Sequence, residues 1–163
     1  MKTVNTSWLT TSKFSNDIVS LCFEAEKTIE YGCYTSAIMT CKNCCERVIK
    51  YAYKTAGLRL PANYTYASLL DNSEEFKAWF DNNELLKRLY DGRKTRNYIE
   101  HRTNLAEKNE ANQALRDLVC LLTRVDELAH GKKEAHHFTP VVEVTTEPIS
   151  KATICGMAIK AGL

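Results

Sequence analysis

Apolar side chains between positions 15 and 130 recur three and four residues apart, a spacing that is typical of helices with one buried face. A first helix is predicted to begin at Ser15 or Asn16, which are good capping residues, and to end at Gly32. A second is predicted over residues 34 to 56, and the glycine turn between them predicts an antiparallel hairpin. The predicted inward positions are Ile18, Leu21, Cys22, Ala25 and Ile29, then Ala37, Ile38, Cys41, Cys44, Cys45, Val48, Ile49, Ala52 and Tyr53.

The second half of the chain has the same helical spacing of apolar residues, after a stretch rich in aromatic residues. Two short helices are predicted, one over residues 66–70 and one capped by Ser73. A third long helix starts near Asn83, and the Asp91-Gly92 pair is expected to interrupt it, because glycine costs about 1 kcal/mol relative to alanine inside a helix. A fourth runs from about residue 107 or 109 to His130. The predicted buried positions here are Leu85, Leu86, Leu89 and Tyr90, then Ala114, Leu115, Leu118, Val119, Leu122, Val125 and Leu128.

These elements predict an all-α fold, an up-and-down bundle of about four long helices with short extra helices and an extended C-terminal tail. We expect an N-terminal extension over residues 1–12, one helical domain over 13–131 and a tail over 132–163. Residues 138–148 are rich in β-branched side chains, which favours a strand or an extended arm. The 163 residues fit one domain, and neither a membrane span nor a signal peptide is expected.

Cysteine usage predicts a cytoplasmic protein with reduced thiols, because seven cysteines are an odd number and most fall at helix-core spacings. The spacing from Cys41 to Cys44 could indicate zinc, but a structural zinc site needs four ligands and the sequence has no second paired motif. Small core residues are the favoured interpretation, and neither a metal nor a cofactor is predicted. The sequence also lacks a phosphate-binding glycine loop, a nucleophile elbow and a metalloprotease motif.

Residues 85–102 form a basic segment in a chain whose formal net charge is only +2. Such a cluster favours an anionic ligand, although a solvated helix face would look the same. Its cations are Lys87, Arg88, Arg93, Lys94, Arg96 and Arg102, and its carboxylates are Asp91 and Glu100.

Three residues of this segment fall on one stripe of a helix, because Arg93, Asn97 and His101 are spaced four residues apart. Arg96 flanks the stripe, about 100° from Asn97. A fixed cation, an amide and an imidazole that titrates near neutral pH can hold a phosphate and move a proton beside it. Arg96 and His101 point about 140° apart on one ideal helix, so they meet more easily across a two-fold axis.

The order of helices and the Arg96-Asn97-x-x-x-His101 motif resemble the HEPN superfamily, the nucleotide-binding domains of higher eukaryotes and prokaryotes. Within it, the chain looks most like a family of unknown function that is also found at the front of type I restriction R subunits. Three parts of the sequence carry this closer resemblance. They are the Tyr- and Ala-containing pattern at residues 31–37, the glutamate of the following long helix near Glu46, and the set Arg93, Asn97 and His101. Arg96 stands where that family often has glycine. With this arginine, the motif resembles the more complete Arg-Asn-x-x-x-His pattern of the ribonucleases in the superfamily.

The resemblance implies a homodimer in which two motifs face each other and cut RNA without a metal. His101 would be the general acid or base, Arg96 would stabilise the charged phosphorane, and Asn97 would orient the imidazole or the phosphate. Arg93, Lys94, Tyr98 and Arg102 would bind the substrate. The cut would leave 2′,3′-cyclic phosphate and 5′-hydroxyl ends. Relatives of this kind act as toxins or antiviral effectors and are often held in check by a partner protein.

Two other functions stay open at this point. One is a non-catalytic module that binds nucleotide or nucleic acid, or only dimerises, in a defence or restriction system. The other is a purely structural helical domain of a larger restriction or defence protein.

Overall fold

The computed structural model describes residues 6–71, 73–101 and 105–130, with the side chains of residues 95–101 left out. This part of the chain is all-α. A 3-10 helix at Ser7–Thr11 precedes six α-helices, of which four are long, so the predicted fold class is confirmed. The α-helices are α1 (Asn16–Glu30), α2 (Tyr34–Thr55), α3 (Tyr66–Asp71), α4 (Glu74–Phe80), α5 (Asn83–His101) and α6 (Lys108–His130).

The first two long helices form the predicted antiparallel hairpin. Gly32 has a φ of +76° in the turn, a left-handed conformation that glycine adopts without strain. Across the hairpin, the Cys44 thiol lies 3.4 Å from the carbonyl oxygen of Ile18, and Arg47 pairs with Asp17. Of the predicted inward positions on these two helices, all are buried except Leu21, which is partly exposed.

The central core lies between α2 and α6, which run in the same direction. The amide nitrogen of Ala106, just before α6, donates to Thr35 Oγ1 near the start of α2 at 3.1 Å. Helix α5 runs antiparallel to α6. Two contacts fix that pairing: Arg88 Nε to Asp117 Oδ1 at 3.2 Å, and Arg124 Nε to the carbonyl oxygen of Phe80 at 2.9 Å.

Aromatic side chains close one end of the bundle, as expected. Phe76 stacks on Tyr53, with 4.3 Å between ring centroids, and also packs on Phe80. The Tyr53 hydroxyl donates to the carbonyl oxygen of Leu69 at 2.9 Å, which ties α2 to α3. Ser73 caps α4 as predicted, because its hydroxyl accepts from the amide of Phe76 at 3.0 Å.

The region before α1 is better ordered than its polar sequence suggests. Leu9 is buried in the core, and the rings of Trp8 and Phe14 meet edge to face, 6.4 Å apart. The Thr6 hydroxyl donates to Glu26 at 2.7 Å. These contacts hold residues 6–14 on the α1–α2 hairpin.

Helix α5 is not interrupted at Asp91-Gly92, and the predicted break there is wrong. Leu85, Leu86 and Leu89 are buried before the glycine, and each contributes about 1.5–3 kcal/mol. That gain exceeds the helix penalty of about 1 kcal/mol for one glycine. Tertiary packing therefore carries the helix through Gly92 to His101.

Within the described ranges, no helix is long and apolar enough to cross a membrane. The predicted strand or arm at residues 138–148, and the whole tail from residue 132, lie outside those ranges. The predicted domain limits thus stay predictions.

Candidate functional site

Helix α5 is the scaffold of the motif that the sequence singles out. Its backbone is helical from Asn83 to His101, so the positions of Arg93, Asn97 and His101 follow one another at single-turn intervals on one stripe. Position 96 lies about 140° around the axis from position 101 on such a helix. The side chains of Arg96, Asn97, Tyr98 and His101, and all of Arg102, lie outside the described part of the chain.

Arg93, which begins the stripe, is held by the tyrosine one turn before it. Its guanidinium carbon lies 4.4 Å from the centroid of the Tyr90 ring, and its Nη2 lies 3.3 Å from the Tyr90 hydroxyl. Arg93 Nε is buried and has no hydrogen-bond partner among the described residues. Stacking on Tyr90 fixes the guanidinium plane, and Nε is shielded from solvent.

Arg93 lines a groove where four helices meet. The groove is open to solvent on one side and has a volume of about 60 Å³, which is room for about two water molecules at their liquid volume of about 30 Å³ each. Its apolar surface comes from aliphatic side chains, two thiols and one tyrosine. It is lined by Ile38, Cys41, Lys42 and Cys45 from α2, Tyr66 from α3, Arg88, Leu89, Gly92 and Arg93 from α5, and Ala114 and Asp117 from α6. We call this the α2–α5 groove.

The charges around the α2–α5 groove do not cancel. Arg88 is neutralised, because Asp117 and Glu84 each accept a hydrogen bond from it at 3.2 Å. Within the described chain, neither Lys42 nor Arg93 pairs with a carboxylate; Lys42 Nζ instead lies 5.7 Å from the Tyr66 ring centroid. The three cations and two carboxylates leave a net charge of +1 at the groove, and the cations without a carboxylate partner are Lys42 on α2 and Arg93 on α5.

The two thiols and the tyrosine hydroxyl in the groove walls stay neutral near pH 7. Burial raises the pKa of the Cys41 thiol to about 12 and lifts the pKa of Cys45 well above its ordinary value. Burial likewise raises the pKa of the Tyr66 hydroxyl well above its usual range. These side chains supply apolar contact and weak hydrogen bonding, and the positive charge of the site is left to Lys42 and Arg93.

Lys94 was predicted to bind substrate, but it lies apart from the groove. Its side chain is largely exposed, and its Nζ lies 3.4 Å from Asp91 Oδ1 on the same helix. Of the four predicted substrate-binding residues, Arg93 alone is described as part of a concave site. The side chains of the predicted catalytic residues stay untested.

The cysteines do not form a metal centre in the described chain, where no group of three or more His, Cys, Asp or Glu side chains has a metal-binding arrangement. Cys41, Cys44 and Cys45 are buried in the core on the inner face of α2. His130 turns back onto α6, with its Nδ1 3.2 Å from Asp126 Oδ1. That pairing gives it a local structural role at the end of the helix.

The sequence alone did not identify the other members of the α2–α5 groove. In the sequence, Lys42 lies between the inward-facing Cys41 and Cys45, at the edge of an apolar stripe. That position is the feature of the sequence that could have indicated a groove residue. Tyr66, Arg88 and Asp117 come from three helices that are distant in sequence. Periodicity cannot reveal such a convergence.

Comparison of the chain with protein-family models, with curated proteins and with solved structures finds no match.

Proposed function

We propose that this protein is a metal-independent endoribonuclease that acts as a homodimer, with Arg96, Asn97 and His101 in the catalytic site. The observation that carries the proposal is the uninterrupted α5 backbone, which keeps the motif on one helix and in register with Arg93. Arg93 itself lies in a groove with uncompensated positive charge. An anionic polymer fits such a surface.

The proposed chemistry is attack of a ribose 2′-hydroxyl on the adjacent phosphorus. His101 accepts the proton of the 2′-hydroxyl, or donates a proton to the departing 5′-oxygen. Arg96 stabilises the negative charge that grows on the phosphorane oxygens. The bond to the 5′-oxygen breaks, and the products are a 2′,3′-cyclic phosphate and a 5′-hydroxyl. DNA is not a substrate because it lacks the attacking hydroxyl.

The dimer follows from the helical spacing of the two catalytic side chains. Positions 96 and 101 lie about 140° apart around one helix axis, so a single chain does not bring them to one phosphate. A two-fold axis beside the end of α5 would set Arg96 of one subunit against His101 of the partner subunit. A toxin or antiviral effector restrained by an inhibitory partner is the cellular role that we propose for such an enzyme.

The test is cleavage of single-stranded RNA by the purified protein in EDTA. We expect cut products with cyclic phosphate ends. His101→Ala should lower the rate by about 10²–10⁴-fold, and Arg96→Ala by about 10²–10³-fold, because they remove proton transfer and charge stabilisation respectively. The measurement is product formation on denaturing gels, with end-group analysis by mass spectrometry.

Arg59→Ala is the matched control, because Arg59 is an exposed arginine in the loop after α2, far along the chain from α5. Circular dichroism and thermal melting establish that each variant keeps the fold. If folded Arg96→Ala and His101→Ala proteins cut RNA as fast as the Arg59→Ala control, the nuclease proposal is wrong.

A second candidate function is a module that binds a nucleotide or RNA without cutting it. The α2–α5 groove favours it, since this groove has a concave shape and a cation, Lys42, that lies outside the α5 motif and has no carboxylate partner among the described residues. Salt-sensitive RNA binding by the wild-type protein, with no cut products in EDTA or with added divalent metals, would select this alternative.

A further inference from the structure

We propose that the α2–α5 groove is the docking site of residues 138–148 of the same chain. In this arrangement the segment lies extended across the groove, Val141 fills the opening, and Glu143 pairs with Lys42. The segment follows α6 in the sequence and lies outside the described residues. Its docking does not depend on RNA cleavage.

The size of the groove suits a small aliphatic side chain. Its volume of about 60 Å³ is well under the roughly 150 Å³ of an apolar cavity that holds a benzene ring. Ile38, Leu89 and Ala114 provide apolar walls. Gly92 also lines the groove, and an added Cβ there would meet no atom within 4 Å, so the opening is clear. A valine side chain therefore fits better than an aromatic one such as that of Phe138.

The charge of the groove favours an anionic segment, because the net charge there is +1. Asp117, the carboxylate in the lining, already accepts hydrogen bonds from Arg88 at 3.2 Å and from Gln113 at 3.1 Å. Lys42 has no carboxylate partner among the described residues, and its Nζ lies 5.7 Å from the centroid of the Tyr66 ring. A glutamate that approaches α2 from the solvent would pair with this lysine.

Charge also selects which part of the chain after α6 fits the groove. Residues 138–148 have two carboxylates, Glu143 and Glu147, and no lysine or arginine. Residues 131–137 have two lysines and one glutamate, and residues 149–163 have two lysines and no acidic side chain. The 138–148 segment is thus the part of the sequence after residue 130 that complements a positive groove.

The residue pattern of the segment places an aliphatic and an acidic side chain on one face. Successive side chains of an extended chain point to opposite faces, so Val141 and Glu143 share a face and lie about 7 Å apart, while Val142 faces the other way. Pro140 and Pro148 favour an extended backbone at the residues before them. The segment can therefore present both side chains to a groove whose apolar lining adjoins a lysine.

The segment is long enough to reach the groove. From Asp117 in the groove lining to His130, α6 extends about 20 Å, at about 1.5 Å per residue. Val141 lies 11 positions after His130, which an extended chain spans with up to about 36 Å. Gly131 directly after the helix suits a change of chain direction. The chain can thus fold back from the end of α6 to the groove.

The docked segment would cover Arg93, which lines the groove and is a predicted substrate-binding residue. RNA and the segment would compete for this place, so docking would restrain the proposed nuclease. That consequence rests on the proposed function, whereas docking itself is measured without RNA.

The experiment is methyl NMR spectroscopy of the full chain. We expect nuclear Overhauser contacts between the methyl groups of Val141 and those of Leu89 and Ala114. An isotope-filtered measurement on a mixture of labelled and unlabelled chains separates contacts within a chain from contacts between subunits. Absence of these contacts, or contacts seen only between subunits, would overturn docking within the chain.

Val141→Asn tests the apolar contact, and Val142→Asn is the matched control on the opposite face of the segment. Val141→Asn should lower the ratio of docked to free segment at least about tenfold, because it removes the burial of a valine side chain. Val142→Asn should leave this ratio unchanged. The ratio is read from the methyl shifts of Leu89 and Ala114. Equal effects of the two changes would overturn the placement of Val141 in the groove.

A charge exchange tests the ion pair. Glu143→Lys and Lys42→Glu should each lower the docked ratio about fivefold, because each sets like charges against each other. The double variant should recover most of the wild-type ratio. Glu134→Lys makes the same charge change before the segment and should have no effect. Thermal melting establishes that Lys42→Glu keeps the fold.

Single charge changes without effect would overturn the pairing of Glu143 with Lys42, as would a double variant that docks no better than the single ones. Failure of docking and failure of the nuclease are separate results. RNA cleavage by a protein whose segment does not contact the groove would overturn docking and leave the nuclease in place. Docking in a protein that cuts no RNA would overturn the nuclease and support the groove as a docking site.

Discussion

Four cysteine thiols, those of Cys22, Cys41, Cys44 and Cys45, are buried on the facing stripes of α1 and α2. Burial raises the pKa of Cys41 and of Cys44 from 9.0 to about 12, and it raises the pKa of Cys22 and of Cys45 well above the ordinary value. At this scale the thiols behave as small apolar side chains that fill the hairpin. The interpretation of the Cys41–Cys44 spacing as helix core agrees with this burial.

The raised thiol pKa values predict a loss of stability at alkaline pH. The unfolded thiols ionise near pH 9, while the folded ones stay neutral until about pH 12. Their contribution is therefore fully present below pH 9 and is lost as pH rises toward 12, by up to about 1.4 kcal/mol per pH unit for each thiol. The measurement is urea unfolding between pH 8 and pH 10.5.

Cys44→Ala should reduce that alkaline loss by the share of one thiol, although it lowers stability at pH 8. Cys33→Ala is the matched control, because Cys33 is exposed in the hairpin turn and its replacement should leave the pH slope unchanged. A slope that is the same in all three proteins would show that the buried thiols do not cause the loss.

At the scale of elements, glycine has opposite effects at two positions. Gly57 follows α2 with a φ of +70°, where an L side chain is strained although nothing lies within 4 Å of an added Cβ. Gly92 lies inside α5 with room for a Cβ and no left-handed backbone. Replacing each glycine by alanine therefore tests the effect of backbone conformation at the two sites, because the added Cβ contacts no atom within 4 Å at either one.

Gly57→Ala should destabilise the protein by about 1–2 kcal/mol, because alanine is strained in the left-handed conformation. Gly92→Ala should instead stabilise it by about 0.5–1 kcal/mol, because alanine favours the helix. The measurement is the free energy of unfolding from urea denaturation of both variants. Destabilisation by Gly92→Ala would contradict a continuous α5 and would fit a helix that breaks at that glycine.

Much of the fold could be predicted from the periodicity of apolar residues. The starts of α1, α2 and α5 and the caps at Gly32 and Ser73 lie where the sequence placed them, because these are local signals. Continuity at Gly92 could not be predicted, since local propensity favours a break and only the burial of Leu89 and its neighbours opposes it. The α2–α5 groove was missed because four separate helices build it.

At the scale of the whole molecule, one helix connects the groove and the motif. Helix α5 packs on α3 and α6 through its first turns, where Leu85 and Leu89 are buried, and its later backbone carries Asn97 and His101. A substrate that follows this helix would pass from the groove to the motif. The proposed dimer completes the site because it adds the partner subunit's copy of the same helix.

The most direct test of this account is a subunit-mixing experiment with the two inactive variants. If each site joins Arg96 of one subunit to His101 of the partner subunit, a heterodimer of Arg96→Ala and His101→Ala chains keeps one intact site. Refolding the two variants together in equal amounts makes about half of the dimers mixed, so RNA cleavage in EDTA should return to about one quarter of the wild-type rate. Each variant refolded alone should stay inactive. A mixture that stays as inactive as its parts, or a protein that sediments only as a monomer, would contradict the shared site.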